Sequence, residues 1–562
     1  MSSDEVELYH RTYTTLLRSS GETHLRVLEP SHAAMNSSLH PLASSSEPDL
    51  GAFMYAMRRL PADIWKANVI VMGQEAVVFR RHGFGDLEQW DAVEAPARRR
   101  RWFDSGSGTL AVLLASTSDL DDLIPTLVAY QVEWNKLHTV ARASERPGGS
   151  EPDPVACADV FGGAEDDWNR VSDAWNGTLS DFLDEVRDRR LNLRIRMLGG
   201  SQVGYARVTR RWMAPVRAAM DEQGLADRPL YFVSSNTHSL INLLTATARA
   251  GEADIVAHID KHGPEYLRDE LQRFRDGRAE GSWENLLYYG ARLYYESRPE
   301  DGDEWRRRME GERAVGITHL SSRTALRVSA QVMALDRLDP AGLDPRLGPI
   351  EPERLAASEA VIVNIEYPLG LAAYNILREL TESSDTLRGA YVLGKAATLN
   401  ADVGDVLISG VIHDEHSGST YWLDNAFSFD DIAPFLVFGS GLDNQRAVTV
   451  KSTFMQNRQY LDFYYREAYT VVEMEAGPFC NAVYEVADAD RYPVGEAVSF
   501  AKLPIDFGII HYASDTPYTQ ARTLGASGLS YFGMDSTYAS SVAILRRILT
   551  LEGVLDGGDR RR

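Results

Sequence analysis

Short aliphatic runs alternate with longer, helically periodic stretches along most of this chain. Such runs are typical of buried strands, and a strand followed by a helix indicates α/β packing. In the C-terminal part the runs recur with βαβ spacing, which predicts a mostly parallel sheet with helices on its faces. The predicted strands are residues 68–73, 110–115, 360–365, 390–394 and 405–412, and a last strand that ends at Asp515.

Two turn-rich stretches, residues 145–154 and 338–352, predict domain boundaries. The second contains four prolines, which interrupt regular structure. We therefore predict an N-terminal α/β region over residues 1–150 and a helix-rich region over residues 151–340 that contains one α/β segment resembling a ligand site. Residues 353–562 are predicted to form a three-layer α/β/α domain with a mostly parallel mixed sheet.

That ligand-site-like segment is residues 230–244, where an aromatic and β-branched run leads through a polar cluster into an apolar helix start. The cluster, residues 234–237, reads Ser-Ser-Asn-Thr. Ligands of α/β sheets bind beyond the carboxyl ends of strands, so the cluster is a candidate binding site. The same side chains are equally typical of helix caps, and we expect a structural role for His238.

The charge balance narrows the classes of partner. The 562 residues include 58 Lys and Arg against 81 Asp and Glu, a net charge of −23, which argues against broad binding to nucleic acid or to an anionic membrane. Four arginines at residues 98–101 are a local exception, and they could contact an anionic ligand or form a solvated face. Only two cysteines occur, and no segment resembles a signal peptide or a membrane span. We expect a cytoplasmic protein.

Residues 470–480 place two carboxylates, Glu473 and Glu475, inside an otherwise apolar run. On a strand both would point to one side and Met474 to the other. Because a buried carboxylate without a partner is unfavourable, the pair either faces solvent or is held for a ligand or a cation. The run alone favours the solvent-exposed alternative.

Three motifs follow one another in the C-terminal part. Residues 394–409 read as a Gly-rich turn followed by a Val-Gly-Asp strand, residues 472–476 read Val-Glu-Met-Glu-Ala, and residues 513–516 contain a Ser-Asp pair. In this order, residues of about 355–555 resemble the nucleoside phosphorylase/nucleosidase superfamily of the purine and uridine phosphorylase type. Residues 1–340 show no such resemblance. The arrangement is similar to that of AMP nucleosidase, in which a separate N-terminal domain precedes the catalytic one.

The resemblance implies cleavage of the N-glycosidic bond of a purine nucleoside or nucleotide. This reaction passes through a ribosyl cation while negative charge gathers on the departing base, so it needs an acid near the base and a carboxylate near the sugar. By resemblance, Asp515 would protonate the base at N7, and Glu475 would hold the ribose hydroxyls with Met474 beneath the sugar. The further substrate-binding residues are an assisting Glu473, Gly394 and Lys395 in the turn, and Ser514. Phe454 could stack on the base, and a core position is at least as typical of such an aromatic residue.

The nucleophile is less defined. The turn reads Gly-Lys-Ala-Ala from Gly394 and lacks the Ser of family phosphorylases, so we favour hydrolysis, with phosphate left open as a co-substrate. We expect no metal or redox cofactor, because the His-Asp-Glu-His run at residues 413–416 has no further zinc ligands nearby in sequence. The resemblance also implies a homo-oligomer and a regulatory or substrate-binding N-terminal region.

Two other functions stay open. The missing Ser of the turn favours a catalytically inactive nucleotide-binding sensor or scaffold. Alternatively, the N-terminal region is the catalyst and residues 234–238 belong to its site.

Overall fold

Two sheets and the helices around them form the part of the chain that the computed structural model describes. That part comprises residues 4–19, 21–146, 152–299, 302–382, 386–487, 494–516 and 531–556. None of its helices is long and apolar enough to cross a membrane.

The first sheet has six strands in the order β1-β6-β2-β5-β4-β3. Its central strands β6, β2 and β5 run parallel, and the outer pairs are antiparallel. The strands are β1 Thr23–His24, β2 Val69–Gly73, β3 Asp91–Ala95, β4 Arg98–Asp104, β5 Thr109–Leu113 and β6 Arg194–Met197. The helices of this part are α1 Asp4–Ser19, α2 Glu29–Ala34, α3 Leu50–Met57, α4 Ala76–Arg81, α5 Thr117–Ala143, α6 Pro154–Phe161, α7 Glu165–Ala174, α8 Leu179–Asp188 and α9 Gln202–Glu222.

Helix α5 begins where the sequence offers a capping residue. The Asp119 carboxylate accepts hydrogen bonds from the amides of Ala115 at 2.7 Å and Ser116 at 3.3 Å, and these amides precede the first turn. The start of this long helix is thereby fixed at the carboxyl end of β5, close to the second sheet.

The second sheet contains eleven strands of the described chain. Ten follow the order β16-β13-β12-β14-β15-β11-β7-β10-β9-β8, and β17 pairs with both β11 and β12. The strands are β7 Leu230–Ser235, β8 Ile317–Leu320, β9 Ala330–Ala334, β10 Val361–Glu366, β11 Leu387–Thr398, β12 Val406–Asp414, β13 Thr420–Trp422, β14 Gly441–Thr449, β15 Tyr469–Glu473, β16 Ala497–Ser499 and β17 Asp506–Asp515. The helices are α10 Ser239–Leu244, α11 Thr247–Ala250, α12 Glu252–His262, α13 Glu265–Arg275, α14 Trp283–Glu296, α15 Asp303–Ala314, α16 Pro352–Ala356, α17 Leu371–Thr381, α18 Arg458–Arg466, α19 Ala476–Ala487 and α20 Tyr531–Leu551.

Parallel pairs predominate at the centre of this sheet. Strand β7 runs parallel to β10 and β11, and β11 runs parallel to β17. The strands β11, β15, β14, β12 and β17 close on themselves into a small barrel. Strand β7 is buried along its whole length, as its run of apolar and aromatic residues predicts for a central strand. The predicted α/β class and the mostly parallel mixed sheet are confirmed.

Three layers of helices cover the two sheets. Helices α10, α14 and α20 pack on one face of the second sheet, and α9, α17 and α19 pack on the other. Helix α9 lies between the sheets, where Trp212 Nε1 donates to the carbonyl oxygen of Val328 at 2.7 Å and the Arg217 guanidinium donates to the Glu379 carboxylate at 2.6 Å. The outer face of the first sheet carries its own core with α3, α5 and α8.

One predicted boundary does not separate two sheets. Residues 338–352 were predicted to divide a helix-rich region from the C-terminal domain, yet they connect β9 to β10, which are antiparallel neighbours. Strand β7, also from the predicted helix-rich region, lies between β10 and β11. The second sheet therefore begins near residue 230. The other predicted boundary, residues 145–154, falls largely on residues 147–151, outside the described residues.

Candidate functional site

A cavity of about 800 Å³ lies where the first sheet faces the carboxyl end of β7 and the barrel of the second sheet. Seven of the eight residues predicted for the site line it together: Gly394, Lys395, Glu473, Met474, Glu475, Ser514 and Asp515. The volume lies within the range of ordinary small-molecule pockets.

Strand β11 brings these groups together. It pairs antiparallel with β15, where Ala397 faces Val472, and parallel with β17, where the same Ala397 faces Asp515 after a register shift. The two carboxylates that follow Val472 therefore lie on one side of β11 and Asp515 lies on the other. Gly394 in β11 accommodates the Tyr367 ring, because a Cβ at this position would lie 2.1 Å from it.

Both carboxylate oxygens of Glu473 accept hydrogen bonds from within the protein. Its Oε2 accepts hydrogen bonds from the amides of Glu475 and Ala476, each at 2.6 Å, and its Oε1 accepts a short bond from the Thr449 hydroxyl. The carboxylate thus holds the first amides of α19, a favourable position for negative charge. Burial nevertheless raises its pKa above the ordinary carboxyl value.

Glu475 is held by fewer bonds and is open to the cavity. It is only 6% exposed, and its Oε1 accepts a hydrogen bond from the Gly370 amide at 3.2 Å. Burial, followed by the charge of Glu473, raises the pKa of Glu475, and this amide and Arg98 oppose the increase. The carboxyl group lines the cavity, so it could accept a hydrogen bond from a ligand.

A contact with the first sheet fixes the Gly370 turn. Gly370 adopts φ +53°, and a Cβ there would lie 2.2 Å from the Ser118 hydroxyl of α5. This hydroxyl accepts a hydrogen bond from the Leu371 amide at 2.9 Å, and His416 Nε2 lies 3.4 Å from it. His416 Nδ1 in turn contacts Asp414 at 2.9 Å. The start of α5 therefore supports the turn that holds Glu475.

Lys395 lies open to the cavity and has no hydrogen bond or ion pair with any described residue. Burial within the cavity walls and the charge of Arg292 lower its pKa, with smaller contributions from Arg59 and Arg98, while Asp515 acts in the opposite direction. This ammonium group is therefore surrounded by other cations as well as by the predicted catalytic acid.

The polar cluster after β7 lines the same cavity through Ser235, Asn236, Thr237 and His238. Asn236 also caps α10, because its Oδ1 accepts from the Ser239 amide at 2.7 Å. The cluster therefore caps a helix and also lines a cavity. Because Glu475 lines the same cavity, this cluster and the predicted C-terminal site lie together.

His238 presents a neutral ring to the cavity. Burial, with smaller contributions from the charges of Arg292 and Arg308, lowers its pKa to about 3. Its Nδ1 lies 3.2 Å from the Tyr538 hydroxyl, which also accepts from Asn242 Nδ2 at 2.7 Å. The hydroxyl proton is thereby directed to Nδ1, which leaves Nε2 as the protonated nitrogen.

Two of the four arginines at residues 98–101 point inward and are paired with acids of α5. Arg98 makes a two-point ion pair with Asp122 at 2.8 and 2.9 Å, and Arg100 contacts Asp119 at 2.8 Å and Asp122 at 2.7 Å. Both belong to β4 and line the cavity. The alternation of buried and exposed positions in a strand would have predicted these inward-facing charges.

Phe454 does not line the cavity. Its ring is 1% exposed and packs edge-on against Tyr55 at 5.1 Å and His40 at 6.3 Å. The predicted stacking of Phe454 on a base is therefore corrected to a core position, whereas its neighbours Thr453 and Gln456 do reach the cavity. Sequence reasoning missed Arg59, Arg292 and Tyr367, which also line it.

This arrangement suits an organic ligand that carries hydroxyl groups and negative charge. The cavity offers a carboxyl acceptor in Glu475, a second carboxyl in Asp515 and several cations. Within the described part of the chain, no group of three His, Cys, Asp or Glu side chains is placed to hold a metal ion.

Several solved structures are similar to part of this chain. They include a putative methylthioadenosine nucleosidase from Weissella paramesenteroides, 10% identical with a TM-score of 0.29, over 58% of this chain and 99% of that one. A 5'-methylthioadenosine/S-adenosylhomocysteine nucleosidase from Neisseria meningitidis in complex with methylthio-immucillin-A is 14% identical with a TM-score of 0.28, over 44% of this chain and 95% of that one. Purine nucleoside phosphorylase from Toxoplasma gondii in complex with immucillin-H is 13% identical with a TM-score of 0.28, over 44% of this chain and 88% of that one.

No curated protein matches the chain. Residues 25–550 match the model of a family of unknown function, DUF6909, and the chain therefore belongs to this family.

Proposed function

We propose that the protein cleaves the N-glycosidic bond of a purine nucleoside or nucleotide. The observation that carries this proposal is the placement of Glu475 and Asp515 on opposite sides of β11 in one cavity. This chemistry needs two carboxyl groups, one at the sugar and one at the base, because positive charge develops on the ribosyl ring while negative charge develops on the base.

Glu475 is the group proposed for the sugar. An ionised carboxylate accepts hydrogen bonds from the ribose 2′ and 3′ hydroxyls and stabilises the ribosyl cation as it forms. The Gly370 amide positions this carboxyl group, which lines the cavity. Met474, between the two glutamates, provides an apolar contact surface.

Asp515 is proposed to donate a proton or a hydrogen bond to the departing base. A base that leaves as an anion is a poor leaving group, and a donor at the base lowers this barrier. Lys395 lies near enough for Asp515 to raise its pKa, so its ammonium group is placed to hold an anion or to orient the nucleophile. Water is the favoured nucleophile, with phosphate as the alternative.

Base release from a panel of purine nucleosides and nucleotides, with and without inorganic phosphate, tests this proposal by chromatography. We expect free base from at least one substrate and a loss of at least 100-fold in kcat/KM for Glu475→Gln and for Asp515→Asn. Glu359→Gln, at an exposed position remote from the cavity, serves as the matched control. Wild-type rates in both site variants would refute the assignment, and tight binding without base release would instead indicate a sensor or scaffold.

A further inference from the structure

Arg59 is a buried cation that lines the cavity without an acidic partner. It follows α3 and is only 4% exposed. Its guanidinium carbon lies 3.3 Å from the centre of the Tyr55 ring, and Nη1 donates to the Tyr55 carbonyl oxygen at 3.0 Å. Among the described residues, no carboxylate oxygen lies within 4.0 Å of this group, and neither Nε nor Nη2 has a hydrogen-bond partner.

The neighbouring arginines show how different this environment is. Arg98 and Arg100 on β4 are satisfied by Asp122 and Asp119, and the Arg98 pair raises the pKa of that guanidinium. For Arg59, burial lowers the pKa to about 10, and the charge of Arg98 acts in the same direction. A buried guanidinium without a partner is unfavourable, because it has lost its hydration. An anion that binds in the cavity would offset this cost.

Lys395 is a second cation of the cavity that lies near Arg59 in the electrostatic sense. The charges of Arg292, Arg59 and Arg98 all act on Lys395, which itself has no partner among the described residues. Two cations of the cavity without an acidic partner favour a ligand that brings negative charge of its own.

We propose that Arg59 and Lys395 form a phosphate subsite, so that the N-terminal part of the chain and the barrel together bind the anionic end of the substrate or co-substrate. The nucleoside part of this ligand rests on the proposed function. A guanidinium with free N–H groups and a lysine ammonium are both well suited to phosphate oxygens. The phosphate belongs either to a nucleoside 5′-monophosphate or to free inorganic phosphate.

Calorimetric titrations of the full chain test the subsite without relying on turnover. The probes are AMP, adenosine, ribose 5-phosphate and inorganic phosphate, and the proteins are wild type, Arg59→Met and the exposed control Arg26→Met. We expect Arg59→Met to weaken AMP and ribose 5-phosphate at least tenfold and to change adenosine affinity less than twofold, with the control unchanged. If the occupant is inorganic phosphate, we expect added phosphate to increase the affinity for adenosine in the wild type. Arg59→Met should then abolish this increase.

Thermal unfolding separates a ligand-binding role from a structural one. Because Arg59 has no acidic partner, Arg59→Met should keep or increase the Tm of the ligand-free protein while it removes the stabilisation by phosphate compounds. Lys395→Met, at a position open to the cavity, provides a second variant should Arg59→Met fail to fold.

Equal affinities of wild type and both folded variants for all phosphate probes would overturn the subsite, as would a wild type that binds none of them. Phosphate binding that depends on Arg59, without base release from any substrate, would refute the proposed function and leave the subsite intact. Base release by a protein whose phosphate affinities do not change in Arg59→Met would support the proposed function and refute the subsite.

Discussion

At the scale of single residues, Glu475 shows how a binding group costs the folded protein stability. Its carboxyl group is buried beside Glu473, and both effects hold its pKa above the ordinary value of 4.5. The native state therefore keeps a proton that the unfolded chain releases. This contribution to stability is complete below pH 4.5 and is lost as pH rises through the raised pKa.

Glu475→Gln should abolish this loss of stability at high pH, because the amide cannot ionise and can still accept the Gly370 hydrogen bond. Each unit of pKa shift corresponds to about 1.4 kcal/mol, and for a large domain each kcal/mol moves Tm by about 2–4 °C. We expect equal Tm values for variant and wild type near pH 5, and a Tm higher by several degrees for the variant at pH 9. Scanning calorimetry of the ligand-free proteins measures the difference.

Glu359→Gln is the control for this series and should track the wild type at every pH. A Tm difference between Glu475→Gln and wild type that does not change from pH 5 to pH 9 would contradict the assignment of a raised pKa to Glu475.

At the scale of elements, the start of α5 and the Gly370 turn form the closest link between the first sheet and the candidate sugar site. The Ser118 hydroxyl accepts from the Leu371 amide and contacts His416. Burial alone would lower the pKa of His416, but Asp414 raises it above its ordinary value. The Ser118 hydroxyl thus links α5 both to the Gly370 turn and to His416.

Ser118→Ala should leave the Leu371 amide without its acceptor, at a cost of about 1–3 kcal/mol, and should remove the contact with His416. We expect a Tm lower by a few degrees. We also expect a decrease in kcat/KM for base release, because the adjacent Gly370 amide donates to Glu475. Ser46→Ala, at an exposed position, should change neither quantity. Wild-type Tm and activity in Ser118→Ala would show that α5 does not support the turn.

Local sequence pattern predicts elements better than it predicts how they pair. Residues 360–365 and 390–394 are aliphatic runs, and both are found within strands, β10 and β11. That β7 lies between them depends on contacts more than 100 residues away in sequence, which no periodicity reports. The prolines of residues 338–352 correctly predict irregular structure. The segment nevertheless connects two antiparallel strands of one sheet, β9 and β10.

The same distinction applies to the candidate site. Seven residues were found because motif order marks strand ends, and the carboxyl ends of parallel strands meet at one edge. Phe454 was misplaced because an aromatic residue near a motif is as suitable for a core as for a ligand. Arg59 could not be found, because its burial in the cavity wall and its lack of an acidic partner depend on tertiary packing, and its local contact with Tyr55 does not reveal them.

At the scale of the whole molecule, α9 and the first sheet cover one face of the second sheet. Trp212 and Arg217 of α9 contact Val328 and Glu379, and the apolar side chains between them form one continuous core. Removal of this cover exposes a large apolar surface, which favours association of the fragment.

A fragment of residues 225–562 should therefore bind the dye ANS and aggregate, and it should lose affinity for nucleotides. A fragment of residues 200–562 retains α9 and is the matched control: we expect weaker ANS binding but no recovery of phosphate affinity, because Arg59 is absent. Fluorescence and light scattering measure the first property, and calorimetry measures the second. A monomeric 225–562 fragment with full nucleotide affinity would contradict this account.

The residues that line the cavity are far apart in sequence, so they are synthesised at different times. Arg59 precedes Asp515 by 456 positions, and both line one cavity. A nascent chain on the ribosome can form the first sheet long before the barrel strands that face it exist, since domains fold as they emerge. The enclosed site therefore forms only after Asp515 has been synthesised, so a product that stops before the last barrel strand has no complete pocket.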